Sequence, residues 1–275
     1  MQTTDVLAMD VPNLEAIKAK QQVTWASGDY AVVGSTLVLM AELLAEAMDV
    51  RSGWRVLDVA AANGNASLAA ARRGCRVTST DYVPALLERG RIRADAEGYR
   101  IEFQEADAEN LPFEDGTFDA VMSTVGAMFA PNQERTAAEM LRVCRSSGKI
   151  GLANWTPAGF VGQIFKCIGK YVPPPAGLKP PSLWGTEARL RELFPGVARI
   201  ELVAREFVFR SPSPEKWLEI FKMYYGPMHK TFAGLDEAAK AGLTADLMTL
   251  VGSLNRAQDG TMVVPSGYLE IVITK

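Results

Sequence analysis

The chain is short of the residues and patterns that would signal several large classes of protein. Among 275 residues there are three cysteines and one histidine. Cys75, Cys144 and Cys167 are odd in number and far apart, so they read as small buried apolar residues of a cytosolic protein, not as a disulfide framework or metal ligands. Lysine and arginine total 29 against 32 acids, a net charge of −3, so no basic field exists to draw in a phosphate backbone. The N-terminal residues MQTTDVLAMDV lack the basic start and apolar centre of a signal peptide. No apolar run is long enough to span a bilayer, since the best candidate is broken by Glu42 and Glu46. Internal repeats and low-complexity tracts are absent. Nucleic-acid binding, membrane spanning and metal chemistry are therefore not expected, and the cytoplasm is the expected compartment.

What the chain has is hydrophobic mass, 48% of its residues, enough for one α/β domain with an elaboration. Its organising stretch is Arg55 to Asp81. The apolar residues Val56, Leu57 and Val59 predict a strand buried on both faces of a parallel sheet. A small-residue turn, Ala60 to Asn65, leads into an alanine-rich helix that stops at Gly74, a residue suited to the left-handed position after a helix. A second strand ends at Asp81. This strand–turn–helix–strand order is that of a nucleotide-binding unit, with the turn's N–H groups and the helix N-terminus facing a ligand and the acid reaching a ribose hydroxyl.

The turn decides which nucleotide. A dinucleotide fingerprint needs G-x-G-x-x-G so that pyrophosphate can approach bare backbone. Here the turn reads Ala60, Ala61, Ala62, Asn63, Gly64, and no phosphate loop ending in G-K-[ST] occurs. In place of those glycines, an acid, Asp58, ends the first strand and A-x-A-x-G follows. The segment resembles motif I of the class I S-adenosylmethionine (SAM) methyltransferases, [DE]-x-G-x-G-x-G, and most of all the ubiquinone/menaquinone-biosynthesis (type 11) branch. SAM carries a cation and no phosphate, which suits an acid at the strand end. Alanine disfavours positive φ, so Ala60 and Ala62 are expected at negative φ, with Gly64 the position where a Cβ would strike the cofactor. The phrase LPFEDGTFD, at Leu111 to Asp119, is frequent in the same branch.

The resemblance implies a Rossmann-like three-layer sandwich. Its seven-stranded sheet is mostly parallel, with the last strand antiparallel, and a helical cap is added. Residues 1–50 would form a helical segment covering the cofactor, 51–210 the SAM-binding core, 211–262 the cap and 263–275 the final strand. A short helix is expected from Val11 to Lys20, and another from Thr36. Strands are expected at Ile101–Glu105, Phe118–Ser123, Ile150–Trp155 and Ala198–Phe209. Between them should come helices after Pro84, after Asn132 with Cys144 on its apolar face, and from Thr156 to Tyr171. The cofactor-binding set implied is Trp25, Tyr30, Asp58, Ala60, Ala62, Gly64, Asp81, Tyr82, Asp107, Ala108, Ser123 and Thr124. Asp107 corresponds to the residue that accepts from the adenine amino group, and Ala108 would bring an N–H to the ring. Trp25 and Tyr30 would line the methionine end or, equally, cover the core.

Methyl transfer from SAM needs alignment and exclusion of water more than a reactive side chain. The single histidine, His229, lies in the expected cap among aromatic residues and is a candidate base, although it serves as readily as a structural residue. Tyr224 and Tyr225 are candidates for orienting an acceptor. The aromatic and methionine content of that region points to an apolar or aromatic small molecule, or to the cap's own core. Ser123-Thr124-Val125-Gly126 stands where nucleic-acid amino-methyltransferases carry N/D-P-P-Y/F, which argues against base methylation. The expected activity is SAM-dependent methylation of a small organic acceptor without a metal. A non-catalytic SAM-binding protein and an NAD(P)-dependent oxidoreductase are the alternatives. The acceptor atom and the oligomeric state, a homo-oligomer included, stay open.

Overall fold

A computed structural model describes residues 12–275 of the chain. Helix α1 (Leu14–Ala26) starts at Asn13, whose side chain accepts the Ala16 N–H. It runs past Lys20, because nothing in QQVTW breaks a helix before Ser27-Gly28; Val11 lies outside the described residues. Helix α2 (Tyr30–Gly34) and a single 3-10 turn lead into α3 (Val38–Ala47), which buries Met40, Ala41, Leu44 and Ala45. Tyr30–Ala47 is the one stretch among the described residues long and apolar enough to be weighed as a membrane span. It is divided between these elements, and its apolar face joins the core.

The nucleotide-binding unit forms as the sequence predicts: β1 (Arg55–Val59), α4 (Asn65–Arg72) and β2 (Arg76–Asp81). Gly74, at φ +76°, makes the turn between the last two. Helix α5 (Pro84–Ala96) begins on a proline whose missing N–H costs nothing in the first turn, and β3 (Ile101–Glu105) follows. Strand β4 (Phe118–Thr124) and helix α6 (Gln133–Val143), capped by Asn132, complete the half around the order reversal. Cys144 is not on α6: it opens β5 (Cys144–Trp155), where Ser147 at φ +59° and a register shift against β4 absorb the expected turn inside one long strand.

Helix α7 (Phe160–Tyr171) starts four residues later than predicted. Pro157 supplies no donor, and the Thr156 hydroxyl turns the chain by accepting the Gly159 N–H at 3.1 Å. A 3-10 turn at Pro181–Gly185 and α8 (Glu187–Leu193) lead to β6 (Arg199–Ser211). Three helices, α9 (Pro214–Tyr224), α10 (Gly226–Gly234) and α11 (Glu237–Leu254), then intervene before β7 (Met262–Thr274).

The seven strands lie in the order β3-β2-β1-β4-β5-β7-β6, with β7 antiparallel to both neighbours. Strand order reverses between β1 and β4. Right-handed crossovers therefore put the helices of the two halves on opposite faces and leave a crevice at the C-terminal strand ends. This is the expected Rossmann-like three-layer fold.

Candidate functional site

The loop after β1 forms the floor of that crevice. Ala61 N–H donates to Thr80 O at 2.9 Å, Ala62 N–H to Asp81 Oδ2 at 2.9 Å and Gly64 N–H to Ala61 O at 2.8 Å. Meeting these partners requires left-handed backbone at two alanines, Ala60 at φ +53° and Ala62 at +48°. The expectation of negative φ at both is wrong. The methyl group is small enough to be tolerated, at about 1–2 kcal/mol per residue. Gly64 is left-handed too, at φ +79°, but it does not face the cavity. A Cβ there would sit 3.7 Å from Gly90 Cα and Ser67 Cβ, so the dihedral rather than crowding calls for glycine.

Three carboxylates stand at three consecutive strand ends along the cavity wall. Asp58 is 1% exposed; its Oδ2 accepts from Ser67 N–H at 2.7 Å and Ser67 Oγ at 2.6 Å, while Oδ1 has no partner. Burial pushes its carboxyl up to about 7, against the Ser67 hydrogen bonds and with help from the charge of Asp81. Asp81 accepts from Ala62 and Val83 N–H, each at 2.9 Å, and burial pushes it up to about 6 despite those donors. Asp107 opens the turn after β3; its Oδ1 accepts the Glu109 N–H at 2.9 Å, and Ala108 lies beside it on the wall. Tyr82 follows Asp81 and lines the same side.

The opposite wall comes from the end of β4. Thr124 lines the cavity with a buried, unpartnered hydroxyl. Ser123 does not reach it: its hydroxyl donates to Val59 O at 2.7 Å and accepts from Ala127 N–H at 2.9 Å, tying β4 to β1. Val125, at φ +53°, and Gly126 continue the wall. A Cβ on Gly126 would come within 2.2 Å of Ala60 O, so the two loops stand back to back with only glycine between them.

The roof is aromatic. Trp25, at the end of α1, meets Tyr30, Phe129 and Tyr225 edge-on, at centroid distances of 5.6, 4.9 and 6.2 Å. Tyr30 and Tyr225 are both held well above the ordinary tyrosine range by burial. Beyond them an apolar arm is lined by Trp155, Val161, Ile164, Phe209 and Phe221. Tyr224 and His229 line neither cavity nor arm. One residue along a helix turns a side chain by about a quarter circle or more, so Tyr225 and not Tyr224 points inward. His229 Nδ1 lies 3.2 Å from Lys222 O, a contact internal to its own region.

Of the implied cofactor set, Trp25, Tyr30, Asp58, Ala60, Ala62, Asp81, Tyr82, Asp107, Ala108 and Thr124 come together on one cavity, and Gly64 and Ser123 stand behind it. Tyr225, one of the two tyrosines expected to orient an acceptor, shares the wall, as do Lys18 and Asn63, which were not foreseen. Lys18 sits in a charged helix that carries no motif, and nothing in the sequence places that helix over the crevice. No cluster of three or more metal-ligating side chains occurs among the described residues. The wall atoms without partners are Asp58 Oδ1, Thr124 Oγ1 and Asn63 Nδ2. An unpartnered carboxylate oxygen, hydroxyl and amide nitrogen on the wall of one cavity suit the ammonium and carboxylate of a methionine moiety, so the residues present fit SAM.

Residues 57–152 match a protein family described as a methyltransferase domain. The chain is 42% identical over 226 residues to Rv1403c, an uncharacterized protein of Mycobacterium tuberculosis, a match covering 81% of this chain and 82% of the relative. A demethylmenaquinone methyltransferase of Clavibacter sepedonicus is 35% identical over 125 residues, 45% of this chain and 51% of that one. In structure it is similar to a putative methyltransferase from Bacillus halodurans, with a TM-score of 0.58 at 18% identity, covering 86% of this chain and 98% of the other; that likeness is one of fold.

Proposed function

From the premise that this chain belongs to the class I SAM-dependent methyltransferases, in the methyltransferase type 11 branch, we propose that it methylates a small apolar or aromatic molecule. The observation that carries the cofactor assignment is the bare Oδ1 of Asp58, a buried carboxylate oxygen left without a protein partner. A cationic ammonium satisfies it, whereas a pyrophosphate would be repelled by it and held off by the methyls of Ala60 and Ala62. Asp81 takes the ribose hydroxyls, Asp107 and Ala108 the base edge, and Asp58, Asn63 and Thr124 the amino-acid end. When bound, SAM supplies a methyl group already activated by its sulfonium.

The chain's own contribution is alignment and dryness. Trp25, Tyr30, Phe129 and Tyr225 exclude water from the place where cofactor and acceptor meet. The arm from Trp155 to Phe221 presents no charged side chain, which supports an apolar or aromatic acceptor. Tyr30 and Tyr225 stay protonated across the physiological range, so they do not deprotonate an acceptor. Helices α9–α11 act as the substrate cap and α1–α2 as the cofactor cover around the core. Three free cysteines fit a cytoplasmic enzyme.

Calorimetric titration with S-adenosylhomocysteine (SAH) and with NADH tests the assignment. SAH is expected to bind and NADH not. Asp81→Ala is expected to weaken SAH binding by roughly 1.5–3 kcal/mol for each charge-assisted hydrogen bond lost. NADH binding without SAH binding, or an unchanged affinity in the variant, would overturn it.

A further inference from the structure

Among the described residues, Lys18 is the one cation whose ammonium reaches Asp107 and Glu109 in the cavity wall. Its Nζ lies 2.7 Å from Asp107 Oδ2 and 2.8 Å from Glu109 Oε2, and the side chain is 14% exposed. Glu109, 7% exposed, is itself fixed: Oε1 accepts the Asn132 N–H at 2.7 Å, and its carbonyl accepts from Arg135 Nε at 2.9 Å. Asp107 is held from both sides, by the Glu109 N–H on Oδ1 and by Lys18 on Oδ2. We propose that Lys18 is a positioning residue for cofactor choice: by holding Asp107 in one rotamer as an acceptor, it makes the pocket select a nucleoside whose base edge carries an amino group. The inference rests on the reading of the cavity as a SAM site.

The chemistry follows from what a fixed carboxylate oxygen offers. Held in place, it is an acceptor that welcomes an amino donor and repels a carbonyl oxygen at the same position. Without the ammonium, Asp107 keeps only the Glu109 N–H on Oδ1, and Oδ2 is free to turn out of position. A carboxylate that has turned away neither rewards a 6-amino purine nor opposes a 6-oxo one. Burial alone would lower the Lys18 ammonium, but its hydrogen bonds to Asp107 and Glu109 outweigh that and hold it above the usual lysine range, so the lysine stays charged.

A purely structural role is the rival, because α1 also ties down through Gln22 Nε2, which donates to Tyr82 O at 2.5 Å. A tether lost from α1 would weaken every nucleoside alike. Loss of Asp107's fixed position would change their ratio.

The experiment measures the affinities of SAH and of S-inosylhomocysteine, its 6-oxo analogue, for the full chain by calorimetry. Wild type, Lys18→Met, Lys18→Gln, Lys18→Arg and Gln22→Ala are compared. Wild type is expected to prefer SAH by about tenfold or more, the loss of a good hydrogen bond plus the repulsion that replaces it. Lys18→Met and Lys18→Gln should cut that preference about fivefold or more through weaker SAH binding, and Lys18→Arg should restore it. Gln22→Ala should leave the ratio unchanged. Equal loss of both ligands in Lys18→Met, or a preference as large as wild type's, overturns the role of Lys18 while leaving the cofactor assignment standing. Failure of the wild type to bind SAH overturns that assignment, and this inference with it.

Discussion

Alanine at positions 60 and 62 sets up a conflict within single residues. The turn needs left-handed backbone so that Ala62 N–H can reach Asp81, yet each methyl group penalises that conformation. Glycine would remove the penalty but add chain entropy to the unfolded state, a cost of about 0.5–1 kcal/mol. Ala62→Gly is therefore expected to stabilise the protein by about 0.5–1 kcal/mol, the uncommon sign for a glycine substitution. A shift of the urea midpoint to higher concentration measures it, and a shift to lower concentration contradicts it. This strain was not legible in the sequence. Residue preference argued for negative φ, and only the hydrogen-bond demands of two strands on the loop between them overrule it. The acids were legible, because Asp58, Asp81 and Asp107 lie at or just beyond the C-terminal ends of strands, and those ends meet at the crevice.

Among the elements, the roof depends on a joint that uses two glycines. A Cβ on Gly28 would come within 2.4 Å of Tyr224 O, and one on Gly226 within 2.3 Å of Thr24 O. Asp29 N–H donates to that same Tyr224 carbonyl at 3.0 Å. The segment between α1 and α2 thus packs backbone to backbone against the corner between α9 and α10, which fixes Trp25 and Tyr30 against Tyr225. Gly226→Ala must push the two apart, and it is expected to cost about 1–3 kcal/mol of stability. SAH binding should weaken in parallel, since the cover shifts with the corner. Thermal melts with and without SAH test this: an unchanged melting temperature would show that the joint yields freely. Element type was readable wherever period and caps agreed, as in β1 to β3, or in α6 with its Asn132 cap. It failed where a long-range partner decides. Cys144 is apolar and at helical spacing, but pairing with Phe118 draws it into β5. Tyr224 and Tyr225 are indistinguishable in sequence, and only the docking of α9 turns the second one inward.

For the whole molecule, the strand order reversal beside β1 gathers two buried carboxylates into one crevice, and that has a consequence for stability against pH. Asp58 rises from an ordinary 3.8 to about 7 on folding and Asp81 to about 6. A carboxyl raised in this way favours the folded state while it is protonated; its contribution is full below about pH 4 and is lost as the pH climbs toward 7. Glu134, held at about 2 by Lys179 and Arg189 against its own burial, works in the opposite sense, losing its contribution only as the pH falls toward that value. Comparing wild type with Asp58→Asn cancels Glu134 and the other groups not coupled to Asp58, leaving Asp58 and its interaction with Asp81. The ligand-free variant should match the wild type near pH 4 and exceed it by on the order of 2–4 kcal/mol at pH 8, where wild-type Asp58 is ionised and Oδ1 is bare. On the proposed reading, in which the ammonium pairs with Asp58, SAH should narrow or reverse that gap by stabilising the wild type in proportion to its affinity. Urea unfolding at pH 4, 6 and 8, with and without SAH, reads both effects. A gap that stays flat across pH, or one that SAH leaves untouched, would remove Asp58 from the amino-acid end of the pocket.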